Sequence, residues 1–172
     1  SFLSLFKEYK AVSLNWHVFG HNGFFNDPDG LITEKLTRRK FIPDRNVKTI
    51  TRSKNIAKIT TAHFCRMKKG DKRADANGLP YTEELYKGKT HKAHINHYQC
   101  RSFIRWMNRV ERGEVSIEVE KDVSNENSWK VDSMECLKQF VTTVALDKNE
   151  YIDNYMLKYS DKIKEALKQF KH

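Results

Sequence analysis

From Ala11 to Phe19 apolar and polar positions alternate, with Val12, Leu14, Trp16 and Val18 on one side and Ser13, Asn15 and His17 on the other. A period of two marks a strand, so this segment is expected to be half-buried, apolar face inward and polar face outward. Residues 2 to 9 read as the end of a helix. The run GHNGFFNDPDG places Gly20, Gly23, Pro28 and Gly30 among Asn and Asp, residues that supply positive φ and side-chain turns, and it predicts a long irregular loop. Leu31–Thr37, Val47–Ile50 and Ala57–Phe64 read as short strands, and Lys68–Thr90 as a polar, turn-rich surface excursion. His94–Tyr98 reads as a strand leading into a helix on which Phe103, Trp106, Met107 and Val110 recur at i, i+3, i+4 and i+7, before Gly113 supplies a C-cap. The tail predicts two packing helices. Met134, Leu137, Val141 and Val144 mark one, and Ile152, Tyr155, Met156, Tyr159, Ile163, Ala166, Leu167 and Phe170 mark the other.

Composition narrows the class. With 172 residues, 38% hydrophobic, the chain can bury a core as one domain without disulfides or a structural metal. Cys65, Cys100 and Cys136 are far apart, form no CxxC pair and leave a thiol over, which points to a reducing, cytoplasmic setting. No apolar run approaches the ~20 residues of a membrane span. The chain opens at Ser1 directly into apolar positions, which predicts a start inside a larger protein.

The net charge of +10 is concentrated: residues 35 to 73 hold 14 Lys or Arg against Asp44 and Asp71 alone. Such a stretch attracts polyanions, whether nucleic acid, membrane phosphate or the diphosphate of a sugar nucleotide, and most of its residues are expected to be solvated surface.

Two groups could carry chemistry. His91, His94 and His97 recur at intervals of three, a spacing that suits zinc on a helix. On the strand expected here His91 and His97 point one way and His94 the other, which disfavours a three-histidine site and leaves one histidine shared with distant residues. Asp27 and Asp29, with Glu34 beyond, follow the Trp-bearing strand, where a carboxylate can act as a general base. Asx turns account for Asp27 and Asp29 equally well. No Walker A, GxGxxG, HExxH, GxSxG or CxxC pattern is present.

The run NWHVFGHNGFFNDPDGLITEKLTRR, followed by KTITR, AHF and INHYQCRSFIRWMNRVERG, resembles the second half of GT-A-type glycosyltransferases of the family 92 and family 2-like kinds. Those proteins carry a W-x-x-F-G strand and loop, a following Glu, a K-x-I element and an N-H-Y-x-x-x-S segment entering a helix that closes with R-G. Here these fall on Trp16, Phe19, Gly20, Glu34, Lys48, Ile50, Asn96, His97, Tyr98, Ser102, Arg112 and Gly113. The chain departs from that pattern at Phe24 and Ser53. The resemblance implies an α/β fold, a mixed sheet flanked by helices forming part of a GT-A fold. It implies a single domain, with a motif-bearing core at 1–113 and a helical tail at 114–172.

The resemblance also implies roles. A nucleotide-sugar donor would pass its sugar to a glycan or other hydroxyl acceptor. A divalent cation, Mn²⁺ or Mg²⁺, would be held mainly by an Asp-x-Asp motif in an upstream, nucleotide-binding half of the protein, with His97 completing the site. Lys48 and Arg52 would add contacts to phosphate. Glu34 or Asp29 would take the acceptor proton, and Trp16, Phe19 and Gly20 would line the sugar site. Tyr98 and Ser102 could serve the substrate or the strand-to-helix junction. Peripheral membrane association of the full-length protein is compatible with this reading. A basic nucleic-acid-binding domain and a non-catalytic remnant are the rival readings, with nucleic acid the less favoured partner.

Overall fold

The computed structural model describes residues 4–60, 65–81, 92–99, 101–112, 137–138, 140–141 and 149–170. It has mixed α/β content, with a mixed sheet and a few helices. The chain groups into two compact units, one formed by 1–18 with 42–97 and the other by 19–41 with 98–172.

The first unit is built on β1 (Ala11–Val18), preceded by the short helix α1 (Leu5–Glu8). β3 (Val47–Thr51) pairs antiparallel along one side of β1. The other side takes two short parallel strands end to end, β6 (Arg73–Asp75) beside Ala11–Ser13 and β7 (Ile95–His97) beside Trp16–Val18. All eight residues of β1 are buried, which corrects the half-buried expectation. Val12 and Leu14 pack with Ala76, Ala93 and Ile95; full burial of side chains of that size is worth about 1.5–3 kcal/mol each. The polar side is enclosed as well, because its groups find partners from distant segments. Ser13 and Thr49 hydroxyls meet at 3.1 Å, and Asn15 Nδ2 donates to the Asp44 carbonyl at 2.9 Å.

β6 lies within the segment expected to be a surface excursion, and its Ala74 is fully buried. Asp75 Oδ1 accepts the amides of Asn77 and Leu79, closing a turn directly behind the strand. Beyond β3, a 3₁₀ turn (Ser53–Asn55) leads into a two-stranded ribbon of β4 (Ile56–Ile59) and β5 (Cys65–Met67). The end of the strand expected at Ala57–Phe64 lies outside the described residues, as do 82–91 with His91, and Cys100 and Cys136.

In the second unit, the expected loop from Gly20 to Gly30 is present, with positive φ at Asn22 (53°), Gly23 (82°) and Gly30 (90°). The strand expected at Leu31–Thr37 is instead one helical turn, α2 (Ile32–Lys35). The Leu31 carbonyl accepts the amides of Glu34 and Lys35, and the turn delivers a single apolar side chain, Leu36, to full burial. β2 (Arg38–Arg39) then pairs antiparallel with β8 (Tyr151–Ile152), a strand at the start of the expected last helix. That helix begins later, as a 3₁₀ turn (Tyr155–Tyr159) continued by α4 (Ser160–Lys168). Much of its apolar stripe faces outward, with Leu167 and Phe170 exposed, so the expected packing role is only partly met.

α3 (Phe103–Arg112) matches the expected amphipathic helix, and its Gly113 cap lies outside the described residues. The first amides of a helix lack intrahelical partners. Here Phe103 and Ile104 donate to the carbonyls of Phe24 and Phe25, and Arg105 donates to Ser102 Oγ at 3.1 Å. The Asn22–Phe25 loop and Ser102 together cap the helix. Of the preceding helix marked by Met134, Leu137, Val141 and Val144, residues 137, 138 and 140 are helical, and Met134 and Val144 lie outside the described residues.

Candidate functional site

The candidate residues divide between the two units. In the first, β1 projects Trp16 and β7 projects His97 to the same face, because the parallel register sets Val18 beside His97 and Trp16 beside Ile95. The Trp16 and His97 rings stack with centroids 3.9 Å apart and planes 13° apart. On β3, Lys48 pairs with Leu14 and so shares that face, with its Nζ 5.7 Å from the Trp16 ring. One residue from each of three separate segments, Trp16, Lys48 and His97, therefore lies on one side of one sheet. Trp16 is only 8% exposed and one face of its ring is covered by the imidazole, so it supports His97 and Lys48 rather than offering a broad ring to a sugar. His94 lies on the opposite face, edge-on to His17 with centroids 4.3 Å apart, as the strand alternation requires. Arg52 is exposed, just before the 3₁₀ turn.

Among the described residues no three His, Cys, Asp or Glu side chains converge to hold a metal ion. His97 alone supplies one ligand where a protein site needs several. The described residues do not by themselves fit a metal centre.

In the second unit, Phe19 is 1% exposed and packs on Tyr98 with ring centroids 4.6 Å apart, while the Gly20 amide donates to the Arg38 carbonyl. Both belong to the internal packing of that unit. Ser102, fully buried, caps α3 and donates to Asp27 Oδ1 at 2.7 Å. Arg105 approaches Asp27 Oδ2 through Nε at 2.9 Å and Nη2 at 2.7 Å. Burial acts to raise the Asp27 pKa, but the Ser102 hydroxyl and the Arg105 guanidinium outweigh it and hold the carboxylate below its ordinary range. Asp27 thus anchors the helix start, and of the two readings open for Ser102 the structure supplies the junction.

Glu34 Oε1 meets Lys164 Nζ of α4 at 2.6 Å, and this contact is the main cause of its lowered pKa. A carboxylate so held is a weaker base than an ordinary one. Asp29, exposed in the loop, makes no hydrogen bond or ion pair among the described residues. Of the two acids, Glu34 is the one held by a cation among the described residues.

One constellation carries no sequence motif. His21 Nδ1 accepts from the Asn149 Nδ2 amide at 3.2 Å, and Asn149 Oδ1 accepts the Asn22 backbone amide at 2.9 Å. The Asn22 side chain in turn accepts the amides of Thr37 and Arg38. Burial pushes the His21 pKa below 6.5. The ring borders an apolar cavity of about 430 Å³ walled by Phe24, Phe25, Phe103, Leu137, Phe140 and Val141. A cavity of that size and lining can admit an apolar group. Its polar member is tied to a residue 128 positions away, a separation at which no local pattern signals the pair.

No protein-family model, curated protein or solved structure matches the chain. No helix among the described residues is long and apolar enough to cross a membrane.

Proposed function

We propose that this chain is the acceptor-side half of a GT-A-type glycosyltransferase, which moves a sugar from a nucleotide-sugar donor to a glycan or other hydroxyl acceptor. The observation that carries the reading is the meeting of Trp16, Lys48 and His97 on one face of the first unit's sheet, from three segments that the resemblance names independently. An ammonium and an imidazole on the same sheet face, flanking Trp16 from the two neighbouring strands, suit a diphosphate, whose negative charge grows as the bond to the anomeric carbon breaks. Trp16 fixes the imidazole plane by stacking, which spares the ring the cost of being ordered on binding.

In the reaction the acceptor oxygen forms a bond to the anomeric carbon, the nucleoside diphosphate leaves with the electron pair of the broken bond, and a carboxylate takes the acceptor proton. The resemblance gives that role to Asp29 or Glu34, and within the second unit Glu34 is committed to Lys164 while Asp29 makes no ion pair among the described residues.

Tryptophan fluorescence titration with UDP-sugars and GDP-sugars tests the donor role. Binding should weaken at least tenfold in His97→Ala and in Lys48→Ala. In the full-length protein, Asp29→Asn should lower turnover at least a hundredfold with donor affinity retained, a loss of the size expected for a general base. Glu34→Gln should cost much less. Unchanged donor binding in both cation variants, or unchanged turnover in Asp29→Asn, would overturn the assignment.

A further inference from the structure

Beyond the transferase reading, the β4–β5 ribbon has a face that the proposed chemistry does not use. Its register sets Ile56 opposite Met67, Ile59 opposite Cys65, and Lys58 opposite Arg66. Side chains alternate along β5, so Cys65 and Met67 share one face while Arg66 shares the other with Lys68. The Lys68 amide donates to the Asn55 carbonyl at 3.0 Å, which carries the pairing one step past the strand. Ile56, Cys65 and Met67 are half-buried, and the Thr51 hydroxyl reaches Met67 Sδ at 3.9 Å. Lys58, Arg66 and Lys68 are exposed.

Among the described residues none of these three cations makes an ion pair. The nearest acid in sequence, Asp71, accepts from Asn55 Nδ2 at 2.9 Å instead. Like charges directly opposite on a ladder are destabilising. An external anion that lies along this face would remove that repulsion.

We propose that the cationic face of the β4–β5 ribbon docks on the phosphate backbone of double-stranded DNA. A two-stranded β-ribbon fits the width of a duplex major groove, and outward Lys and Arg without internal partners are free to replace phosphate counterions. A lipid surface is the less suitable partner. Peripheral membrane binding needs apolar side chains on the side that meets the bilayer, and the ribbon's exposed Ile59 pairs with Cys65, on the face opposite Arg66.

The test is fluorescence anisotropy of a short labelled DNA duplex titrated with the whole chain, between about 50 and 200 mM salt. Three phosphate contacts at about −0.9 each predict a slope of log affinity on log salt of about −2.7 or steeper. The triple variant Lys58→Gln, Arg66→Gln, Lys68→Gln should reduce that slope by about 2.7 while melting at or above the parent temperature, since a like-charge pair is removed. A charge-matched control on the other unit, Lys35→Gln, Lys162→Gln, Lys168→Gln, should keep the parent slope. Equal losses in both triple variants would overturn the proposal in favour of diffuse charge. So would absence of binding at the lowest salt, or tighter binding to phosphatidylserine vesicles than to the duplex.

Discussion

In the unit formed by 19–41 and 98–172, basic side chains are tied to carboxylates: Arg39 to Asp153 at 2.7 Å, Arg105 to Asp27 at 2.7 Å and Lys164 to Glu34 at 2.6 Å. In the unit formed by 1–18 and 42–97, the ribbon cations have no such partners among the described residues, although acids are present. Asp44 and Asp75 turn their carboxylates to the backbone amides of Asn46, Asn77 and Leu79, closing turns, and Asp71 accepts from the Asn55 side chain. Net charge is therefore a poor guide to surface field. What matters is whether the acids of a region face cations or other groups, and among the described residues the second unit's ion pairs tie its segments together while the ribbon's three cations have none.

The sharpest way to break this comparison is Asp153→Ala. Arg39 and Asp153 side chains are 11% and 12% exposed, and the Arg39 guanidinium also lies 4.5 Å from the Tyr151 ring centroid. Removing the acid leaves a nearly buried cation, and the expected loss is about 3 kcal/mol in urea denaturation. A loss below about 1 kcal/mol would mean the pair behaves like an exposed one. Ser102→Ala should cost about 1 kcal/mol and speed amide exchange in the first turn of α3, since it removes both the cap and the donor to Asp27. The smallest effect should have the opposite sign. Lys58→Thr removes one member of a facing like-charge pair and is expected to stabilise by about 0.5 kcal/mol, read as a higher urea midpoint.

Where neighbours along the chain decide the structure, the sequence was readable. β1, β3, β7 and α3 declare themselves through alternation or through the spacing of Phe103, Trp106 and Met107. Leu31–Thr37 misleads because Ile32 and Thr33 are β-branched, yet a single buried Leu36 is better served by a turn of helix than by an alternating strand. β6 was invisible because Arg73–Asp75 is too short for a pattern, and only its parallel register with Ala11–Ser13 makes it a strand. The burial of Ser13 and Asn15 likewise depends on Thr49 and Asp44, partners 36 and 29 positions away. Among the site residues, Trp16, Lys48 and His97 were legible as motif members. The engagement of Glu34 by Lys164 was not, because nothing near Glu34 in sequence points to a lysine on the final helix.

The Asn149 amide has a consequence for where a hydrogen sits. Its oxygen is oriented by the Asn22 backbone donor, so its nitrogen must be the atom facing His21 Nδ1. An imidazole nitrogen that accepts cannot also be protonated, and the uncharged ring is thereby fixed as the Nε2–H tautomer. With burial opposing the imidazolium form, His21 at neutral pH is an electrically silent donor whose single N–H direction is set by a residue from the far end of the chain.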